Sequence, residues 1–322
     1  MADESAGAVR LAAEELSGLV VGSGRGGAYE VAVGDELLAC SLRGRLKLAT
    51  GGRLEQLAVG DEVTCRRSLD EPERGVIETV LPRRSQLGRG RPGKPPQIIA
   101  ANLDQVMVVV AVAEPDLSLH AVDRFLAIAA TASLPATIVL NKHDLEPTGE
   151  IAALVAEIYE PLGVVVLATS IVSGQGLESF AAALTGRVSV VIGPSGAGKS
   201  SLLNAVNPGY QLRTGEVMSI GKGRHTTTSS RLLPLDRGGY VADTPGIKTL
   251  QLIDGAVEPA GLQDLFPEIG SRSEGCRFAD CTHRAEPDCA VQEAVELGEV
   301  APSRYDSYLV LYGELEAGSR PW

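Results

Sequence analysis

Three short stretches of the chain carry the residue types that hold a nucleoside triphosphate. Gly193-Pro194-Ser195-Gly196-Ala197-Gly198-Lys199-Ser200 has glycines that let backbone N–H groups turn toward phosphate oxygens. Lys199 brings a point charge to the β- and γ-phosphates, and the Ser200 hydroxyl suits Mg²⁺. The apolar run Val188 to Ile192 ahead of it reads as a buried strand, and Ser201 onward reads as a helix. Phosphate would therefore sit at a helix N-terminus, within reach of Ser201 as well. Asn141-Lys142-His143-Asp144 supplies a carboxylate, Asp144, that can accept hydrogen bonds from guanine N1–H and its exocyclic amine, a donor pair adenine lacks. Asn141 and Lys142 would brace that pocket, and the following Thr169-Ser170-Ile171 could offer backbone N–H groups, Ser170 among them, to guanine O6. Asp243-Thr244-Pro245-Gly246 ends a predicted hairpin. Asp243 would hold Mg²⁺ through water, and only a residue without Cβ, here Gly246, lets its amide reach the γ-phosphate.

The order of these stretches is unusual. The base-reading motif precedes the phosphate loop, whereas in most GTPases it follows, and this is the mark of a circularly permuted GTPase. Between phosphate loop and hairpin lies Gly221-Lys222-Gly223-Arg224-His225-Thr226-Thr227-Thr228, a loop whose threonine would ligate Mg²⁺ and sense γ-phosphate. Thr227 is the first choice and Thr228 the second. Position 247 is Ile, where many GTPases carry the glutamine that orients the attacking water. His225 is the nearest replacement, with a solvated loop histidine or a partner contact as its other reading. Catalysis would then rest on His225, Lys199 and Gly246, be slow in the isolated chain, and quicken when a partner orders the loop.

Cys276, Cys281, His283 and Cys289 form a C-x4-C-x-H-x5-C cluster, and three thiolates with one imidazole suit a closed tetrahedral Zn²⁺ site. Three of the five cysteines fall in this segment, while Cys40 and Cys65 stand apart among strand-like residues and read as core. The N-terminus is acidic and lacks a cationic, apolar leader, so a disulfide framework is not expected and a reducing, cytoplasmic setting is. Because the cluster follows the Asp243 motif, permutation tethers it to the switch.

Alternating patterns along the chain predict the scaffold around these residues. Strand-like runs around Leu19 to Val21, Tyr29 to Val33, Leu37 to Leu42, Glu62 to Cys65 and Gly75 to Val80 suggest a small five-stranded barrel. After it, helix patterns at Val122 to Ala132, Ile151 to Glu160 and Leu177 to Leu184 alternate with apolar strands such as Val106 to Ala113, the pattern of a doubly wound α/β sheet. Val291 to Leu297 and Ser303 to Leu315 read as helices, with Tyr305, Tyr308, Leu309 and Tyr312 on one apolar face for packing or for a partner. The 322 residues accommodate a multidomain plan of 1–82, a barrel; 83–96, a basic flexible linker; 97–254, the nucleotide domain; and 255–322, the zinc-binding helical domain. No apolar run reaches membrane-spanning length.

A net charge of −12 is unlike a dedicated RNA binder. Two local runs oppose it. Arg43, Arg45 and Lys47 alternate as one strand face would, and Arg83, Arg84, Arg89, Arg91 and Lys94 occur with no acid among them. We expect RNA backbone at Arg43, Arg45, Lys47, Arg89, Arg91 and Lys94, with little base stacking because Tyr29 is the only aromatic before Phe125.

The motif order, Gly223-Arg224-His225-Thr226-Thr227, Asp243-Thr244-Pro245-Gly246-Ile247 and Cys276-Arg277-Phe278-Ala279-Asp280-Cys281-Thr282-His283 together resemble the circularly permuted, ribosome small-subunit-dependent GTPase A (RsgA, YjeQ-type) family of bacteria, over nearly the whole chain. The resemblance implies an N-terminal OB-fold β-barrel, a central permuted P-loop GTPase and a C-terminal zinc domain. It also implies action late in assembly of the 30S subunit on 16S rRNA with release after GTP hydrolysis, and a catalytic histidine in the switch I loop, here His225. It further implies one Zn²⁺ per chain, Mg²⁺ with GTP, and a monomer away from membranes. One departure is Thr169-Ser170-Ile171, where the family usually has Ser-Ala. Two other function classes stay open: a P-loop ATPase or kinase, and a GTP-sensing RNA-binding module that never turns GTP over.

Overall fold

A computed structural model describes residues 11–23, 28–43, 57–91, 94–210, 212, 230–243 and 257–318. Strands β1 (Leu16–Ser23), β2 (Tyr29–Val33), β3 (Glu36–Leu42), β4 (Glu62–Arg67) and β5 (Arg74–Val80) close into a barrel in the order β1-β2-β3-β5-β4. β3 and β5 pair in parallel, and β1 closes on β4 antiparallel. That order is the OB-fold. Alternation drives it: Leu38, Cys40 and Leu42 point inward along β3 to meet Val20, Val31, Val63, Cys65 and Ile77. Cys40 and Cys65 are thus core residues, as their strand-like flanks predict.

The described residues of the segment expected as a flexible linker are structured. β6 (Gln86–Arg91) and β7 (Lys94–Ala101) form an antiparallel two-stranded sheet, with Arg89 opposite Gln97 and Arg91 opposite Lys94. Its residues before β6 are fixed by charge. Arg83 donates from Nε and Nη2 to the fully buried Asp61 (2.7 and 2.9 Å), and Arg84 pairs with Glu62 and Asp104. Asn102 completes the joint, donating to the Gly60 carbonyl and accepting from the Arg84 amide, each at 2.8 Å. Barrel and sheet are therefore joined by buried, satisfied polar groups.

Beyond the hairpin lies a six-stranded sheet in the order β10-β9-β8-β11-β13-β12. Its elements run β8 (Gln105–Ala111), α1 (Leu119–Thr131), β9 (Ala136–Asn141), α2 (Glu150–Tyr159), β10 (Val165–Ala168), α3 (Leu177–Leu184), β11 (Val188–Ile192), α4 (Lys199–Val206), β12 (Arg231–Pro234) and β13 (Tyr240–Asp243). All neighbours pair in parallel except β12 with β13. β8 is buried throughout. Val108 and Val110 enter one core and Met107 and Val109 the other, so both faces of the sheet are covered. Strand order reverses between β8 and β11, and ligands of open α/β sheets bind at the strand C-terminal ends beside such a reversal.

The C-terminal region consists of a 3₁₀ turn (Pro259–Leu265), α5 (Pro267–Ser273), α6 (Ala290–Glu296) and α7 (Pro302–Gly318). The apolar face expected on the last helix packs inward: Tyr308 and Tyr312 are buried with Leu311 and Leu315, in one core with Val122 and Leu126 of α1. Among the described residues no helix is long and apolar enough to cross a membrane.

Candidate nucleotide site and metal centre

The phosphate loop leaves β11 at Ile192 and enters α4 at Lys199, the strand, loop, helix setting its sequence requires. Lys199 Nζ folds over the loop to donate to the carbonyls of Gly193 (2.9 Å) and Pro194 (2.6 Å). The base motif leaves the adjoining β8–β9 pair. Asn141 ends β9, and its Nδ2 donates 2.8 Å to the Ala197 carbonyl inside the phosphate loop. Gly198 makes that bridge possible. Its φ is +92°, and a Cβ there would stand 2.2 Å from Asn141 Nδ2. Lys142 takes the left-handed conformation (φ 60°) and donates to the Glu114 carbonyl, a contact with no signature in sequence.

Asp144 lies in the 3₁₀ turn His143–Leu145. Ser170 Oγ donates to Asp144 Oδ1 at 2.5 Å, and Thr169 Oγ1 donates to Asn141 Oδ1 at 3.2 Å. The two base-side segments are thereby locked together. One expectation needs correcting: the Ser170 N–H is not aimed at a base but donates to the Gln175 carbonyl (3.0 Å), and the Thr169 N–H donates to Leu140 (2.8 Å). Ser170 instead acts on Asp144 through its hydroxyl.

Asp243 ends β13, two strands from β8 and next to β11. Burial pushes its carboxyl up to about 7, against the opposing pull of Arg231. A half-buried acid at the strand ends beside a phosphate loop suits a divalent cation, whose charge restores the carboxylate. Thr227, His225 and Gly246, like Arg45 and Lys47, lie outside the described residues. Arg43 lies within them and pairs with Glu78.

The second cluster is compact. Ligand atoms of Cys276, Cys281, His283 and Cys289 all lie within 4.8 Å of one another. Cys276 Sγ and Cys289 Sγ are each 3.5 Å from His283 Nδ1 and 3.9 Å apart, close to the edges of a tetrahedron with metal–sulfur bonds of about 2.3 Å. His283 Nε2 donates to Gln263 Oε1 at 3.0 Å, which leaves Nδ1 unprotonated and facing the thiols. Burial pushes the Cys281 thiol up to about 12, a penalty that a coordinated cation reverses. The donor set and spacing thus fit a metal. Gln263 was not foreseeable, since it stands outside the cysteine spacing.

A buried ion cluster joins this region to the nucleotide domain. Arg304 of α7 donates to Asp123 of α1 (Nη1, 2.8 Å) and Glu268 of α5 (Nε, 2.7 Å). Tyr159 of α2 donates to the same Asp123 oxygen at 2.6 Å, and the guanidinium stands 4.4 Å from the Phe266 ring centroid. A lone arginine at the spacing of Tyr308, Leu311 and Leu315 was the one sequence signal for it.

The permuted order of base motif and phosphate loop, now seen to meet through the Asn141–Ala197 bond, has its counterpart in known proteins. The RsgA GTPase family model matches residues 80–253. A small ribosomal subunit biogenesis GTPase RsgA of Gemmatimonas aurantiaca is 46% identical over 300 residues, covering 92% of this chain and 96% of that one. The chain belongs to the RsgA GTPase family. It is a circularly permuted GTPase that hydrolyses GTP. The RsgA of Thermotoga maritima is 42% identical over 87% of this chain and 90% of its own. The crystal structure of YjeQ from Thermotoga maritima superposes with TM-score 0.79 at 38% identity, covering 96% of this chain and 100% of that one. YloQ, a circularly permuted GTPase, superposes with TM-score 0.74 at 29% identity, covering 96% and 98%. The RsgA relatives match the chain over barrel, GTPase and C-terminal region alike, so the three-part plan is a property of the family and not of this sequence alone.

Proposed function

We propose that this GTPase acts in the cytoplasm as a monomer on the assembling small ribosomal subunit, binds it and its 16S rRNA in the GTP state, and leaves after hydrolysis. The observation that carries the reading is one continuous architecture, an OB barrel and a Cys3His region each fused by buried contacts to the permuted nucleotide domain, shared with relatives named small ribosomal subunit biogenesis GTPase. Co-sedimentation with purified 30S subunits tests it. Binding should be strong with a non-hydrolysable GTP analogue and weak with GDP; equal binding in both states contradicts it.

Asp144 reads guanine N1–H and N2, held by Ser170, while the Ile171 amide is the remaining backbone donor of its trio for O6. Lys199 exchanges the Gly193 and Pro194 carbonyls for β- and γ-phosphate oxygens, and the backbone N–H groups of Gly196 and of Gly198 to Ser201 line the phosphates. Mg²⁺, bound with GTP, neutralises phosphate charge; Ser200, Thr227 and, through water, Asp243 are the residues that would hold it. His225 polarises the attacking water, and Gly246 meets the γ-phosphate. His225→Ala should lower subunit-stimulated turnover about 10²–10⁴-fold with KM for GTP unchanged; unchanged stimulated turnover removes His225 from the mechanism.

Cys276, Cys281, His283 and Cys289 hold one Zn²⁺ per chain. Thiol modification in the presence of a chromophoric chelator should release one equivalent of zinc and none from Cys289→Ser, whereas release of iron, or of no metal, contradicts the assignment.

RNA backbone contacts run along Arg43, Arg45, Lys47, Arg89, Arg91 and Lys94. The last three belong to the β6–β7 hairpin, so they would meet phosphate as a preformed ribbon instead of an ordering linker. Charge reversal at Arg89, Arg91 and Lys94 together should weaken 30S binding and flatten its salt dependence by about 2–3 ions; an unchanged slope removes the hairpin from the interface.

A further inference from the structure

The barrel touches the nucleotide domain at the strand pair that ends in Asp243. Arg231 opens β12 and stands directly opposite Asp243 in the antiparallel register. Its Nη2 donates to both carboxylate oxygens of Glu30, at 2.8 and 2.9 Å, and Glu30 lies on β2 of the barrel. Gly22 of β1 permits this approach: a Cβ there would stand 2.8 Å from Glu30 Oε2 and 3.5 Å from Arg231 Cγ and Nε. Behind the pair, Val21 of β1 lies in the same buried core as Leu232 of β12 and Ala242 of β13. One arginine therefore pairs with a carboxylate of the barrel and stands across the strand ladder from an acid at the nucleotide site.

The pair is too exposed to be a stability device. The Arg231 and Glu30 side chains retain 45% and 27% of their accessible surface, the regime in which an ion pair adds little to folding. A position that stabilises little, yet joins two domains at the strand bearing a metal-site acid, suits communication better than scaffolding.

We propose that Arg231 is a positioning residue for GTP hydrolysis that couples the barrel to the nucleotide site. Glu30 holds the guanidinium and so sets how much of its charge Asp243 feels. A barrel engaged on RNA that shifts Glu30 shifts Arg231 with it, and the subunit is thereby sensed at Asp243. The inference rests on the subunit-stimulated reading of function. It adds the residues through which stimulation passes.

The test is a double-mutant cycle, Glu30→Gln, Arg231→Gln and the double variant of the full chain, on turnover with and without 30S subunits. Melting temperatures should match the parent chain, and basal turnover of Glu30→Gln should stay within about twofold. Stimulated kcat should fall at least about fivefold in each single variant, the lower end of ordinary coupling between sites. KM for GTP and the half-saturating subunit concentration should not move. The double variant should be no worse than the singles, and Arg231→Lys, which keeps a positive charge opposite Asp243, should recover most of the stimulation. Parent-like stimulation in the single variants, or losses that multiply in the double, would overturn the coupling while leaving the function intact. A parent protein that subunits do not stimulate would overturn the functional reading and this inference together.

Discussion

Asp144→Asn should turn a GTPase into an enzyme that prefers xanthosine triphosphate. The carboxylate accepts two hydrogen bonds from guanine, each worth about 1.5–3 kcal/mol as a charge-assisted bond. An asparagine amide can keep the N1–H bond but opposes the N2 amine donor to donor. Losing one bond and setting two donors against each other should lower GTP affinity about 10²–10⁴-fold. Xanthine carries a carbonyl at that ring position, which the new amide can satisfy. The structure adds a reason for the switch to be clean: Ser170 Oγ holds Oδ1 at 2.5 Å, and an asparagine oxygen accepts the same bond, which sets the amide nitrogen in the place of Oδ2. Competition binding with both nucleotides measures it. Retention of GTP preference would show that Asp144 does not read the base.

Arg304→Met should be the most destabilising single change among the described ion pairs. The arginine side chain keeps 3% of its surface, and its partners Asp123 and Glu268 keep 0% and 9%. Removing the cation strands two carboxylates in a core shared by α1, α5 and α7, a situation that costs about 3–5 kcal/mol. The melting midpoint should drop on the order of 10 °C. Because the loss is mostly that of unpaired acids, adding Asp123→Asn and Glu268→Gln to Arg304→Met should recover part of it, although any one of those changes alone is harmful. The metal should stay bound, since none of its ligands belongs to this cluster. A change below about 1 kcal/mol would mean that the carboxylates find water on their own.

The nucleotide site was readable because its chemistry is local. β11 runs over Val188–Ile192, the span of the mainly apolar run, since a strand covered on both faces is apolar except where a buried polar group is satisfied, as Ser189 is by Gln105. The Cys3His cluster was readable because four ligands of two rare residue types within one short segment leave few other uses. Residues 83–96 were misread for an equally local reason. Gly88, Gly90, Pro92, Gly93, Pro95 and Pro96 are turn and breaker residues, and their composition outweighed a strand reading. Prolines are nonetheless compatible with a strand that lacks a neighbour on one side. What holds the joint in place is distant: the Ala101 amide donates to Val59 at 2.8 Å, and Arg83 reaches back to Asp61.

Other features depend on partners that no local window contains. Arg304 meets Asp123 across 181 positions of chain, and Arg231 meets Glu30 across 201. The Ser170 correction is subtler. The segment was rightly placed beside Asp144, but whether a backbone amide faces the base or its own loop is decided by the turn through Gln175, which composition does not encode. In each case the sequence carried residue chemistry, and the fold decided which partner used it.

If the small ribosomal subunit switches the nucleotide site, GTP turnover by the purified chain should depend on which particle is present. Measured alone and with 30S subunits, 50S subunits or 70S ribosomes, turnover should be slow alone, strongly stimulated by 30S and little by 50S. Equal turnover with every particle, or stimulation by 50S alone, would contradict switching by the small subunit.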